Sequence, residues 1–460
     1  MRKLMLFVFV CLSSAFCFGQ DIAGHWKGVI RVQRMELNIV LNISVDKGVY
    51  SATLDSPDQG ANGIGVDSVV FDNGALRFLV DMLGVSYEGR LEGDGVIRGV
   101  FKQGGVSLDL DFSKGDEGGV VLRPQEPLPP YPYDVKEVTF FNPRHGLALA
   151  GTLTVPQGEG PFAAALLISG SGPQNRDEEV YGHKPFLVIA DHLTRHGIAV
   201  LRFDDRGTAA SDGDFASSST EDFSFDAEAA FDFLKGRKEI DPARIGLIGH
   251  SEGAIIAAMI AARTEDVAFA VLLAGSGMRG DKLLLAQQEL IGQSYGLSEE
   301  MIEENGRFMK RVFDIINTAA TDDELKAALF TAFMESSASS PQDEDLKAQV
   351  KEKVAAMADR WTVYFVRHDP SVDISRMTCP VLALNGEKDI QAPPSINLPA
   401  IRDALAKGNN RLSTVKELPG LNHLFQDCET GALTEYGRLE QTFSPSALDL
   451  VTDWIGAHIR

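Results

Sequence analysis

The sequence predicts an α/β protein: a doubly wound, mostly parallel sheet with a helical cap inserted late in it, preceded by a small all-β domain. Three observations carry this. From about residue 135 onward, short buried apolar runs alternate with helical stretches, the pattern of βαβ units. Before about residue 115, apolar residues instead recur at every second position, as in antiparallel strands with one solvated face. Between about 278 and 375 the pattern is helical throughout, although sheet strands lie on either side. A chain of 460 residues exceeds one ordinary domain, and at 44% hydrophobic it can bury a sizeable core.

The chain opens with Arg2 and Lys3, followed by an almost wholly apolar run from Leu4 to Phe16. Small residues at Cys17 and Gly19 then suit cleavage before Gln20, so residues 1–19 read as a secretory signal peptide. The run is short for a spanning helix, and neither Cys11 (after Val10) nor Cys17 (after Phe16) fits a lipoprotein signal. No later stretch is long and apolar enough to span. The expectation is an exported protein, periplasmic or extracellular, with no membrane span after cleavage. Processing would leave only Cys379 and Cys428, which the fold argued here puts at opposite ends of the sheet as buried free thiols.

Residues 20–120 form the β-domain. Alternation is clean in Leu37–Ile43 and again in Val106–Phe112, and turn signals recur at Asp46-Lys47-Gly48, Asp72-Asn73-Gly74, Gly93-Asp94-Gly95 and Gln103-Gly104-Gly105. Eight or so strands in a meander would make a small barrel or sandwich. The domain shows no catalytic constellation, which leaves ligand binding and scaffolding both open. Residues 121–134 then carry Pro124, Pro127, Pro129, Pro130 and Pro132, either a stiff linker or a strap lying across the next domain.

The third region, 135–460, supplies strands at Leu149–Val155, Ala163–Ile168, Ile198–Phe203, Ile245–Ile248, Ala268–Leu273, Pro380–Leu384 and Leu412–Leu418. Helices are predicted at Lys184–His196, Phe223–Lys235, Ala254–Arg263, Ile396–Ala406 and Pro445–Ile459. The insertion from about 278 to 375 carries apolar stripes at Leu283-Leu284-Leu285, Phe308–Ile316, Leu325–Phe333 and Val350–Val366, and is expected to cap the strand ends. Its Glu299-Glu300-Glu303-Glu304 cluster reads as a solvated helix face. A net charge of −22 with no Lys/Arg-rich run excludes a nucleic-acid partner, and the acidity itself reads as solubility.

The chemistry centres on Gly249-His250-Ser251-Glu252-Gly253, which joins a short buried strand to a small-residue helix. In that setting Gly-x-Ser-x-Gly is a nucleophile elbow, whose glycines allow a sharp bend that lifts the serine hydroxyl clear of the sheet. A serine needs a base, and the base an orienting carboxylate. Asp389 stands just past the strand that runs into Asn385-Gly386-Glu387-Lys388-Asp389, with Glu387 as the nearest substitute. His423 closes Leu418-Pro419-Gly420-Leu421-Asn422-His423 in the loop after the last strand, and of nine histidines it alone has that context. His250 is expected to point away from the nucleophile and to pack or shape the turn. The oxyanion would rest on the backbone N–H groups of Glu252 and of Ser171, the latter in Ser169-Gly170-Ser171-Gly172-Pro173. That loop fits neither dinucleotide nor P-loop patterns, and no metal-ligand spacing occurs, so neither cofactor nor metal is expected.

At these residues the chain from about 135 to 460 resembles the α/β-hydrolase superfamily. It is particularly similar to secreted bacterial serine carboxylesterases with a serine aminopeptidase-like hydrolase domain and a β-rich N-terminal domain. The resemblance lies in Ile168–Asp177, Asp205-Arg206-Gly207-Thr208, the elbow and Pro419–His423. In the β-domain it lies in Trp26-Lys27-Gly28 and Leu54–Gly60. It implies Ser251 as nucleophile, His423 as general base and Asp389 as its orienter. Ala209 departs from the glycine that relatives often carry, while Ser169, where a histidine often opens the loop, fits this subgroup. The function expected is a serine carboxylesterase working on a small-molecule ester through an acyl-enzyme. A serine peptidase of the aminopeptidase or acyl-peptidase type is the alternative, and its mark would be a carboxylate in the cap that holds the substrate's amine. A non-catalytic binding protein would have a broken triad, whereas this one is complete. Oligomeric state is left open.

Overall fold

In the computed structural model, residues 22–459 are described apart from 33–34, 48, 60, 94, 116–121 and 338–343, so the signal peptide expected at 1–19 lies outside the described residues. The chain divides into two compact units, residues 1–56 with 61–120, and 57–60 with 121–460.

The first unit is an antiparallel half-barrel built on one ten-stranded sheet. Two meanders meet at Gly24–Val32 and Val96–Gln103, which are joined through the short strand Phe112–Lys114. Alternation puts Trp26, Leu41, Leu54, Phe78, Tyr87 and Phe112 on the buried face. Phe78 and Tyr87 stack with ring centroids 5.0 Å apart. The run Val106–Phe112, expected as one strand, divides into Val106–Asp109 and Phe112–Lys114. At the break the carbonyl of Leu110 accepts the Tyr87 hydroxyl at 3.0 Å.

The second unit has the α/β-hydrolase fold. Its eight strands lie in the order Asp134–Asn142, Leu147–Val155, Ile198–Phe203, Phe162–Ile168, Ile240–His250, Ala270–Leu273, Val381–Gly386, Ser413–Leu418. Asp134–Asn142 and Leu147–Val155 pair antiparallel, and the six strands from Ile198–Phe203 onward are mutually parallel. The edge strand Asp134–Asn142 escaped the sequence reading because its apolar residues, Val135, Val138, Phe140 and Phe141, neither alternate cleanly nor form a continuous run. Parallel strands buried on both faces explain the continuous Val/Ile/Leu/Ala runs. Helices Pro185–Arg195 and Pro445–His458 cover one face, while Thr220–Lys235, Glu252–Arg263 and Pro394–Lys407 cover the other. Ser219 starts Thr220–Lys235 with a capping box closed by Asp222.

The proline-rich segment is a strap on this unit. Arg123 donates to the carbonyls of Gly182, Tyr181 and Gly437. Gln125 bonds the backbone of Thr442 and Phe443, and the Tyr133 hydroxyl donates to Asp191 at 2.7 Å. The insertion folds into helices Gly280–Ser294, Glu299–Thr318, Asp322–Ser336, Glu344–Met357, Arg360–Arg367 and Pro370–Ile374. Its own core contains Val312, Phe313, Ile316, Leu325, Leu329 and Val350. The stripe Val350–Val366 is two helices rather than one, because the Asp359 side chain caps a new start by accepting the N–H of Thr362 at 2.7 Å. Glu299, Glu300, Glu303 and Glu304 are all exposed, as a solvated face requires. Cys379 and Cys428 are free thiols; only Cys379 is buried, whereas Cys428, on the loop beyond His423, is half-exposed. Among the described residues no helix is long and apolar enough to cross a membrane.

Candidate active site

The strand Ile240–His250 runs straight into Ser251, and the helix Glu252–Arg263 begins one residue later. Ser251 has φ 53° and ψ −117°, a conformation that costs a non-glycine residue about 1–3 kcal/mol and persists only where the surroundings impose it. Here the surroundings are visible: the Ser251 N–H donates to the carbonyl of Leu273 at 2.8 Å, on the neighbouring strand. Gly249 and Gly253 are needed for space. A Cβ on Gly249 would lie 2.0 Å from the carbonyl oxygen of Gly253, and one on Gly253 would lie 2.0 Å from that of Ile168.

Asp389 follows the strand Val381–Gly386 and is buried. Its Oδ1 accepts the N–H groups of Gln391 and Ala392, both at 2.8 Å, and its Oδ2 faces His423 Nδ1 at 2.8 Å. Burial works against the charge of Asp389, but His423 and the two backbone donors outweigh it and hold the carboxyl below its ordinary range. The His423 loop is braced by Asn422, whose Oδ1 accepts from the N–H groups of Leu424 and Gln426. Glu387 does not compete for the histidine, since its carboxylate takes the Gly420 N–H at 2.8 Å.

Ser251, His423, Ser171 and Glu252 line one cavity of about 310 Å³. Its apolar wall comes from Ile255 and Leu424 and from the cap residues Leu283, Leu284, Trp361 and Phe365, the last two stacked at 5.0 Å. Glu252 is the first residue of its helix, so its N–H has no intrahelical acceptor and is free to serve a ligand. Among the described residues, no His, Cys, Asp or Glu side chains are grouped so as to hold a metal ion.

Sequence reasoning missed how the loop Ser169–Pro173 is held: three carboxyls, two of them buried, grip it residue by residue. Asp205 accepts the Ser169 hydroxyl and the Gln174 N–H, both at 2.9 Å. Glu178 accepts the Gly170 N–H at 2.7 Å. Glu252 pairs with the Ser171 side chain and accepts the Thr220 hydroxyl at 2.6 Å and the Trp361 indole N–H at 2.8 Å. Asp205 and Glu252 stood in motifs already noted, but only the folded chain shows which carboxyl meets which loop residue. His250, expected to pack or shape the turn, has its ring 4.8 Å from that of His423, centroid to centroid.

Burial pushes the Asp205 carboxyl up to about 8, with Glu252 and Glu178 adding to the rise and the bonds from Gln174 and Ser169 opposing it. The unfolded value is about 3.9, so between the two the folded chain holds a proton that the unfolded chain has released. Stability from this group is therefore fully present below about pH 4 and is lost as pH rises towards about 8. Asp205→Asn removes the titration and keeps the shape. Its melting temperature should climb relative to wild type from pH 5 to pH 8 in scanning calorimetry, and a constant difference would refute the buried proton.

A family model described as serine aminopeptidase, S33 (Hydrolase_4) matches residues 184–427, more than half of the chain. The chain is 28% identical over 233 residues to esterase EstD of Thermotoga maritima, a match covering 51% of this chain and 49% of that one. It thus spans about half the length of that curated relative. Among solved structures, a hypothetical protein of Pseudomonas aeruginosa is similar with a TM-score of 0.44 and 18% identity, over 73% of this chain and 96% of the other. An esterase of Pyrococcus furiosus is similar with a TM-score of 0.42 and 15% identity, over 71% and 92%.

Proposed function

The chain belongs to the Hydrolase_4 family (serine aminopeptidase, S33), and from that premise we propose that it is a serine carboxylesterase acting on small carboxylic esters. The observation that carries the reading is the His423–Asp389 contact of 2.8 Å, with His423 in the same cavity as a strained Ser251. Ser251 Oγ attacks the ester carbonyl while His423 takes its proton. Asp389 holds the imidazole in the productive tautomer and balances the imidazolium that forms. The oxyanion rests on the N–H groups of Glu252 and Ser171, each worth about 3–4 kcal/mol in the transition state. His423 then protonates the leaving alcohol, and water releases the acid by the same steps in reverse. The basic and apolar N-terminal segment supports export of the enzyme.

Ester cleavage is favoured over aminopeptidase action by the state of the cavity's acids. Among the described lining residues these are Glu178 and Glu252. Glu178 is committed to Gly170 and His250, and Glu252 to Thr220, Trp361 and Ser171, so neither is left to hold a substrate ammonium group. The test is a rate panel of p-nitrophenyl esters from acetate to palmitate against aminoacyl and dipeptidyl p-nitroanilides, with Ser251→Ala as control. Ester turnover that vanishes in Ser251→Ala, with idle anilides, is the expected result. Appreciable anilide cleavage would transfer the protein to the peptidases, and full activity in Ser251→Ala would overturn the nucleophile.

A further inference from the structure

His250 is buried beside the nucleophile, and both of its ring nitrogens meet oxygen. Nε2 lies 2.9 Å from the carbonyl oxygen of His423, which can only accept, so Nε2 carries a hydrogen. Nδ1 lies 2.9 Å from Glu178 Oε1, the same oxygen that accepts the Gly170 N–H at 2.7 Å. An imidazole facing a carboxylate on one nitrogen and a carbonyl on the other serves both as the imidazolium. An unbroken path therefore runs from the oxyanion loop through Glu178 and His250 to the backbone of His423. Glu178 is held at φ 50°, a left-handed backbone conformation that the surroundings must enforce.

We propose that Glu178 and His250 form a charged positioning pair that sets the separation between the oxyanion loop and the His423 loop across the nucleophile elbow. The proposal rests on the roles given above to Ser251 and His423. Neither member touches the reacting atoms; each acts through the backbone it holds. Burial opposes the charge on His250, but Glu178 outweighs it and the pKa of the ring lies above its ordinary value. The other groups facing the ring are the imidazole of His423, the uncharged Phe425 at 6.5 Å, and Asp389, whose charge acts in the same direction as that of Glu178. Because carboxylate and imidazolium cancel, the pair orders both loops without placing a net charge beside the base.

The test compares His250→Gln, Glu178→Gln and the double variant in the full chain, by ester kinetics against pH. Each single change should lower kcat about 10- to 100-fold with KM within about threefold, since a displaced oxyanion donor or base harms the transition state more than binding. The double variant should fall no more than about threefold below the worse single, because both changes cut one path. His250→Gln alone leaves Glu178 uncompensated near His423, so the acid limb of kcat/KM should move to higher pH. ¹⁵N NMR of histidine-labelled wild type should show both His250 ring nitrogens protonated at pH 7.5, a readout that survives even if a variant fails to fold. Single variants within threefold of wild-type kcat, additive losses, or a neutral His250 ring would each overturn the pair. Wild-type turnover by Ser251→Ala in the same assays would instead remove the nucleophile reading, and the protonation of the ring would still decide the pair.

Discussion

Asp389→Asn is expected to reduce kcat for ester hydrolysis by about 10⁴-fold, roughly 5 kcal/mol of transition-state stabilisation, while leaving the fold and KM largely intact. The size of the effect follows from a constraint outside the triad. Two backbone N–H groups, from Gln391 and Ala392, point at Oδ1. An asparagine must turn its carbonyl oxygen to them, which leaves its amide N–H₂ in the Oδ2 position, facing His423 Nδ1. Nδ1 must then accept and the imidazole proton moves to Nε2, the wrong tautomer for taking a proton from Ser251. Steady-state kinetics with a short p-nitrophenyl ester, read beside the melting temperature, checks this. A loss of less than tenfold would mean that Asp389 does not set the tautomer.

Gly253→Ala is expected to be severely damaging to the catalytic unit. Its Cβ would sit 2.0 Å from the Ile168 carbonyl oxygen and 2.6 Å from that of Ser169, both backbone atoms that cannot swing aside. Relief requires the helix Glu252–Arg263 to move off the sheet, which carries with it the Ser251 hydroxyl and the Glu252 N–H. The expected cost is about 3 kcal/mol or more of stability, with at least about a 100-fold loss of kcat. Gly306→Ala is the matched control. Gly306 lies within the helix Glu299–Thr318 with nothing near its Cβ position, so alanine there should be neutral or stabilise by up to about 1 kcal/mol. Chemical denaturation of both variants measures the contrast, and equal stabilities would refute the close-packed elbow.

Much of this architecture is local in origin and was legible for that reason. Buried parallel strands need continuous apolar residues, so Phe162–Ile168, Ile198–Phe203 and Val381–Gly386 stood out, and half-buried strands such as Met35–Asp46 revealed themselves by alternation. The edge strand Asp134–Asn142 and the split at Asp359 were hidden, because the strand's Val135, Val138, Phe140 and Phe141 neither alternate cleanly nor form a continuous run, and one capping side chain outweighs a helical stripe. At the site, chain order and element ends were enough to nominate Ser251, Asp389 and His423, since each stands where a strand stops.

The sequence by itself determined which residues are nominated for the chemistry: a Gly-x-Ser-x-Gly turn, a carboxylate after a strand and a histidine after the last strand are patterns of near neighbours. Only the tertiary structure decided what surrounds them. Glu178 and His250 are 72 residues apart, and His250 and His423 are 173 apart, yet each pair lies within hydrogen-bond reach. Whether Glu387 or Asp389 meets His423, and which carboxyl holds Ser169, Gly170 or Ser171, depends on how loops from different strands converge at one end of the sheet. Hydrogen bonds act over about 3 Å, and separation along the chain does not encode which distant atoms come that close.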